Sequence, residues 1–206
     1  MPKASRELTE ARKEEIVNAC EKLYQMKSFK EITIKEIGSL TDFTRTSIYN
    51  YFNTKEEIFL ALLKREYELW VKNLNDIYNS RPTMSKDEFA GAIAKSLEER
   101  PQLLKILSMN HYDTEQFSRP EHLKVFKRAY GETLEAVNNC LIKFFPHMME
   151  EDRQSFIYAF FPFMFGIYPY TTVTEKQETA MKKAEVKFKH MSVYELVYGC
   201  VKRLLD

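Results

Sequence analysis

Six times this chain sets a Ser or Thr three residues ahead of a Glu or Gln at the head of a helical apolar pattern: Thr33/Glu36, Thr54/Glu57, Ser85/Glu88, Ser118/Glu121, Thr174/Gln177 and Ser192/Glu195. In such a box the hydroxyl accepts from the backbone N–H of the later residue. The later side chain reaches back to the N–H of the first, so two donors that every helix start leaves unpaired are satisfied together. Between the boxes, apolar residues recur with alternating spacings of three and four, as in Ile16, Ala19, Cys20, Leu23 and Tyr24, and in Leu123, Phe126, Tyr130, Leu134, Val137, Leu141 and Phe144. Sustained strand alternation is missing, and only 5 of 206 residues are Gly. The expected fold class is all-α.

Taken in order, the pattern predicts a flexible arm over Met1 to Leu8, then a helix capped by Thr9 and running to about Met26. Two short helices follow, from Thr33 and from Thr44. A long helix runs from Thr54 to about Asn79, others from Ser85 to Arg100 and from Pro101 to about Met109, and Asn110 to Phe117 is a polar loop. A second long helix starts at Ser118 and ends before Pro146. A helix over Glu150 to Ile167 is kinked at Pro162, and Pro169 to Val173 is a loop. A short basic helix then starts at Thr174 and the last at Ser192.

The stretch from Thr33 to Glu57 carries the functional signal. Ile37 and Leu40 share one face of the first short helix, Thr41-Asp42 makes the turn, and Phe43 fills the corner. Thr44 caps the second helix, whose Ile48 and Phe52 lie four apart on one face. Arg45, Thr46, Tyr49 and Asn50 form a donor-rich opposite face. A helix-turn-helix needs this division, with an inward face that holds the unit together and an outward face that enters the major groove. Arg45 and Thr46 stand at the helix N-terminus, where base-edge contacts arise, and Arg reads guanine bidentately. Lys55 opens the next helix, where the dipole also favours a phosphate.

The same stretch resembles the DNA-binding domain of the TetR family of bacterial transcriptional regulators. The matching residues are Thr33, Ile37, Ser47-Ile48-Tyr49, Tyr51-Phe52, Thr54-Lys55-Glu56 and Ile58-Phe59. The chain departs from the family at Thr41 to Thr44, where Ala-Gly-Val-Ser is frequent, and at Ile34, where a second Thr is common. The resemblance implies a three-helix helix-turn-helix domain over residues 1–52 and a larger helical ligand-binding and dimerisation domain over 53–206. It implies DNA contacts from Thr33, Thr44, Arg45, Thr46, Tyr49, Asn50, Tyr51 and Lys55, the last on the phosphate backbone. It further implies a ligand-responsive repressor that binds a palindromic operator as a homodimer. The alternative is a helical ligand-binding or scaffold protein whose short helix pair is only structural.

The predicted helix after Glu150 is apolar nearly all round, and one chain of this size has few elements left to cover it. A dimer interface is therefore expected at Phe156, Phe160, Phe163 and Met164, with Val193, Leu196, Val197, Val201 and Leu204 of the last helix. The family's dimerisation through its last two long helices agrees. Many aromatics and few convergent charges suit a small hydrophobic or aromatic effector, with Tyr112, Tyr130, Asn138 and Phe160 as candidate lining residues.

The net charge of +1 offers no broad basic field, so DNA binding has to come from local placement and from doubling in a dimer. Cys20, Cys140 and Cys200 are widely spaced, which reads as reduced thiols in a cytoplasmic protein. No signal-peptide pattern or membrane-length apolar run is present, so no membrane partner is expected. Histidines 111, 122, 147 and 190 are scattered without metal spacing. No nucleophile elbow, phosphate loop or dinucleotide fingerprint occurs, so neither an enzyme nor a cofactor is expected.

Overall fold

The computed structural model describes residues 3–42, 45–109 and 111–206, and of residues 3–6, 45 and 111–113 the backbone alone. Its described residues form eleven helices and no strand: α1 (Lys3–Met26), α2 (Ile34–Ser39), α3 (Arg45–Ile48), α4 (Lys55–Ser80), α5 (Lys86–Glu98), α6 (Pro101–Leu107), α7 (His111–Gln116), α8 (Pro120–Phe144), α9 (Glu150–Thr171), α10 (Glu175–Lys183) and α11 (Val193–Leu204). The contacts divide into two units. One holds Met1–Arg65 with Met109–Tyr130, the other Glu66–Ser108 with Gly131–Asp206, and α4 and α8 each contribute to both.

Four of the boxes close in full, at Thr33, Ser85, Thr174 and Ser192. Two do not. At Thr54 the hydroxyl accepts from Glu57 N, but the Glu57 carboxylate turns to Asn53 N, one residue earlier. At Ser118 the hydroxyl donates to Thr114 O, and α8 starts two residues later with its first backbone bonds on Arg119 O.

The structure corrects several sequence expectations. From Lys3 onward the expected arm is helix, continuous with α1, so Thr9 is not a cap. The expected loop after Asn110 contains α7. α9 continues through Pro162 and Pro169 to Thr171, so the loop expected from Pro169 starts later. Each proline removes one i→i−4 bond, and the carbonyls released are those of Tyr158 and Phe165. Pro162 and Pro169 are seven apart, both on the exposed side of α9, which leaves the core-facing ladder intact.

In the second unit, α11 packs on α5 and α9, and α6 packs on α9 and α5. The core holds Trp70, Leu74, Phe89, Ile93, Leu97, Leu103, Leu107, Phe156, Phe160, Met164, Val197 and Val201. Gly91 brings α5 close to α11, since a Cβ there would stand 3.1 Å from Tyr194 Oη. The same pair of helices is tied at the surface by Asp87, which accepts from Tyr198 Oη at 2.9 Å and pairs with Lys202 at 2.7 Å. The Lys202 ammonium, before other causes, holds the Asp87 carboxyl below its ordinary value.

Candidate nucleic-acid interface

The buried residues of the first unit include Ile16, Val17, Cys20, Leu23 and Tyr24 of α1, with Ile32, Ile37, Ile48, Phe52, Ile58 and Phe59. Tyr24 and Phe29 both pack edge-on against Phe59, with centroids 5.0 and 4.8 Å away. Arg65 of α4 grips α1 through Glu14 at 2.7 Å and Glu21 at 2.8 Å.

Glu36 organises the entry to α2. Its carboxylate accepts from Thr33 N at 3.0 Å, Thr33 Oγ1 at 2.9 Å and Lys27 Nζ at 2.6 Å. The Lys27 bond, followed by the two from Thr33, lowers the Glu36 carboxyl to about 2. Thr33 is exposed, with its hydroxyl engaged in the box. The turn after α2 is tied back to α1 by Asp42 N, which donates to Glu15 Oε1 at 2.7 Å.

α3 is shorter than its sequence pattern suggests. After Ile48 the backbone tightens into bonds from Asn50 N to Ser47 O and from Tyr51 N to Ile48 O, so Phe52 lies beyond the helix. The division of faces is nevertheless the one the spacing predicts. Ile48 and Phe52 are 0% and 1% exposed, while Tyr49 is 41% exposed and Thr46 and Asn50 are also exposed. Thr46, Tyr49 and Asn50 thus stand together on the outer side of α3 and its following turn. Phe43 and Thr44 lie outside the described residues, as does the side chain of Arg45. Tyr51 is half-buried, and its hydroxyl accepts from Arg12 Nη1 at 3.2 Å.

Lys55 has a role that sequence reasoning missed. Its ammonium donates to Phe29 O at 2.8 Å and Ile32 O at 3.2 Å, and lies 4.2 Å from the Phe29 ring centroid. Two of its three protons therefore pin the α1–α2 connection to the start of α4.

A second group was also missed. Glu57, 0% exposed, accepts from Asn53 N (2.7 Å) and Arg119 N (3.0 Å), and is gripped by Arg119 Nε (2.7 Å) and Nη2 (2.9 Å). Burial acts to raise the Glu57 carboxyl. The Arg119 and backbone hydrogen bonds outweigh that effect, so it stays below its ordinary value and is ionised at neutral pH. Arg119 Nη2 also donates to Tyr51 O at 3.0 Å. Glu57 and Arg119 are 62 residues apart, and no local pattern connects them.

The four candidate ligand residues are placed as follows. Tyr130 is half-buried in the first unit, and the side chain of Tyr112 is outside the described residues. Asn138 accepts from Arg153 Nε at 3.3 Å and lines a cavity of about 430 Å³ with Leu134, Glu135, Arg153 and Ile157. Phe160 is in the core, packed on Phe156 and Phe163. A larger cavity, about 710 Å³, is lined by Phe144, Phe145, Met148, Phe156, Leu204 and Leu205, with Lys86, His147, Asp152 and Asp206 among its polar groups.

The expected interface residues are redistributed too. Phe156, Phe160, Met164, Val197 and Val201 are buried within the chain, and Phe163, Val193, Leu196 and Leu204 are half-buried. α6 and α11 cover that side of α9. The apolar surface left open on α9 is its other side: Tyr158 at 77%, Phe165 at 40% and Tyr170 at 63% exposed, with Ala159, Pro162 and Pro169 among them.

Among the described residues no single helix is long and apolar enough to cross a membrane, and no group of His, Cys, Asp and Glu has a metal-binding arrangement.

Residues 16–62 match the family model "Bacterial regulatory proteins, tetR family", and residues 64–194 match "Tetracyclin repressor-like, C-terminal domain". A curated relative, the HTH-type transcriptional regulator YfiR of Bacillus subtilis, is 27% identical over 74 residues, 36% of each chain. The match thus spans little more than a third of that relative's length. Among solved structures, the chain is similar to the fatty acid degradation regulator FadR from Bacillus halodurans, with a TM-score of 0.58 at 16% identity over 94% of this chain and 97% of that one. It is also similar to FadR from Bacillus subtilis, solved in complex with stearoyl-CoA, with a TM-score of 0.54 at 14% identity over 93% and 97%. These likenesses establish the fold.

Proposed function

The chain belongs to the TetR family of bacterial regulators, and from that premise we propose that this DNA-binding regulator is a repressor. It acts as a homodimer on a near-palindromic operator and is released by a small apolar effector. Residues 1–52 contact DNA, and residues 53–206 provide the effector site and the dimer interface. Two copies present α2 and α3 to successive major grooves, one helical turn apart. Arg45, Thr46, Tyr49 and Asn50 face the base edges and the nearby backbone, with Thr33, Thr44 and Tyr51 flanking them on the phosphates.

The observation that carries this reading is the split of α3, with Ile48 and Phe52 buried and Thr46, Tyr49 and Asn50 outward. The open side of α9 supports the dimer, because an apolar stripe of this kind on a helix marks an interface. The 710 Å³ cavity, floored by Phe144, Phe145 and Phe156, supports an apolar effector. An effector that prefers a different spacing of the two DNA-binding units lowers operator affinity by population shift.

Tyr49→Ala tests the reading. Operator affinity falls about tenfold, the size of one lost base or phosphate contact. The thermal midpoint stays within about 1 °C, since a side chain this exposed supports little core. An affinity equal to that of the parent chain removes Tyr49 from the interface.

A further inference from the structure

We infer that Arg119 is a positioning residue for operator recognition, held by Glu57 against the carbonyl of Tyr51, and that a proton on His122 releases it. The inference rests on the DNA-binding reading above, and its chemistry is confined to the first unit.

Arg119 immediately precedes α8. Its guanidinium reaches back to the turn that follows α3, where Tyr51 O accepts from Nη2 at 3.0 Å. Nη2 carries two protons and has three acceptors around it: Tyr51 O, Glu57 Oε2 at 2.9 Å and His122 Nε2 at 2.8 Å. A guanidinium donates only, so His122 Nε2 is the acceptor and its neutral ring carries the proton on Nδ1. The ring also leans on Phe52, with centroids 5.4 Å apart. Imidazole, guanidinium and carboxylate therefore converge on the segment that ends the α3 turn.

A proton on Nε2 sets N–H against N–H at 2.8 Å and puts two positive charges in contact. Glu57 Oε2, 3.7 Å from Nε2, is the acceptor a charged His122 would take, and Arg119 already holds it. The other charges facing the ring are Glu121 on α8, Arg119 itself and Lys13 on α1. Burial first, with Arg119 and Lys13 adding to it against Glu57 and Glu121, holds His122 below the ordinary imidazole value. The folded unit thus favours neutral His122. As pH falls below about 6.5 an unfolded or loosened chain binds the proton first, and the arrangement is lost in that direction.

The sign separates this device from general electrostatics. Protonating surface histidines adds positive charge and tightens binding to a polyanion. Release of Arg119 weakens it. The probe is a duplex selected by the wild-type protein from a randomised pool at pH 7.5, with affinity measured at constant ionic strength from pH 7.5 to 5.5. Circular dichroism at each pH confirms that the protein is folded.

The expected result is a loss of about tenfold in wild-type affinity across the range, following the protonation of one imidazole. His122→Gln keeps an acceptor without a titrating group and removes most of that slope. Arg119→Lys keeps the charge but not the fork, binds about tenfold more weakly at pH 7.5 and shows little slope. In parallel, the His122 ring resonances titrate below the ordinary value in the wild type and move upward in Arg119→Ala, with no DNA present. A His122→Gln profile that superimposes on the wild type, or a His122 titration unmoved by loss of Arg119, overturns the inference. A wild-type protein that selects no duplex overturns the DNA-binding reading and the positioning role with it, and the ring titration still reports whether the contact exists.

Discussion

The Tyr158→Glu, Phe165→Glu double variant is monomeric at micromolar concentration and binds operator about a hundredfold or more weakly than the parent chain, because the second half-site is no longer tethered to the first. Both positions lie on the open side of α9, seven residues apart and two helical turns along one stripe. In a symmetric pair this stripe meets its own copy, so each substitution places like charges in contact at the centre of the interface. Tyr158 is 77% and Phe165 40% exposed in the single chain, so what cost there is to the fold falls mainly on Phe165. Light scattering and a thermal melt separate the two effects. A dimer that survives both glutamates locates the interface elsewhere, and a melt that collapses with them shows a packing role that the exposure does not indicate. Val201 is the instructive contrast. It sits in the stripe that the sequence pattern assigns to the interface, yet it is 0% exposed, so a charge there disrupts the chain's own core.

Trp70→Ala has the largest expected effect on stability. Trp70 is fully buried, its Nε1 donates to Ser96 Oγ at 3.0 Å, and its ring centroid lies 6.1 Å from that of Phe161. Ser96 also donates to Ile93 O at 2.8 Å, so its hydroxyl keeps a partner when the indole goes, and the loss is mainly one of packing. Truncating a large buried aromatic costs about 3–5 kcal/mol. That is a third or more of the stability of many domains, and it corresponds to a fall in midpoint on the order of 10 °C. Trp70→Phe fills most of the space and loses far less. The parent chain has a single Trp, so circular dichroism, which does not depend on the indole, is the measurement to use. Equal midpoints for the Ala and Phe variants contradict the packing described for the second unit.

What the sequence shows clearly is what local chemistry decides. The boxes at Thr33, Ser85, Thr174 and Ser192 are closed by residues three apart, and the structure closes them as the spacing requires. Thr54/Glu57 and Ser118/Glu121 look identical in sequence and behave differently. Glu57 is claimed by Arg119 and Ser118 by Thr114, and neither claim is visible in a window of four residues. Ile48 and Phe52 declare the inner face of α3 because their spacing encodes one side. α9 is harder to read, because Phe156, Tyr158, Phe160, Phe161, Met164 and Phe165 surround it. Composition says that it is covered but not which side covers itself within the chain. Lys55 shows a similar limit. A basic residue at a helix start suggests a phosphate, and the structure gives two of its protons to the carbonyls of Phe29 and Ile32.

The most direct test of the account is the affinity of the unaltered protein for duplex DNA from upstream of its own gene, set against a scrambled duplex of the same length and composition at about 150 mM salt, near a physiological ionic strength. The account predicts saturable binding of two chains per duplex, with a preference for the upstream sequence of about a thousandfold or more. Equal affinity for the two duplexes, or binding to neither, contradicts it.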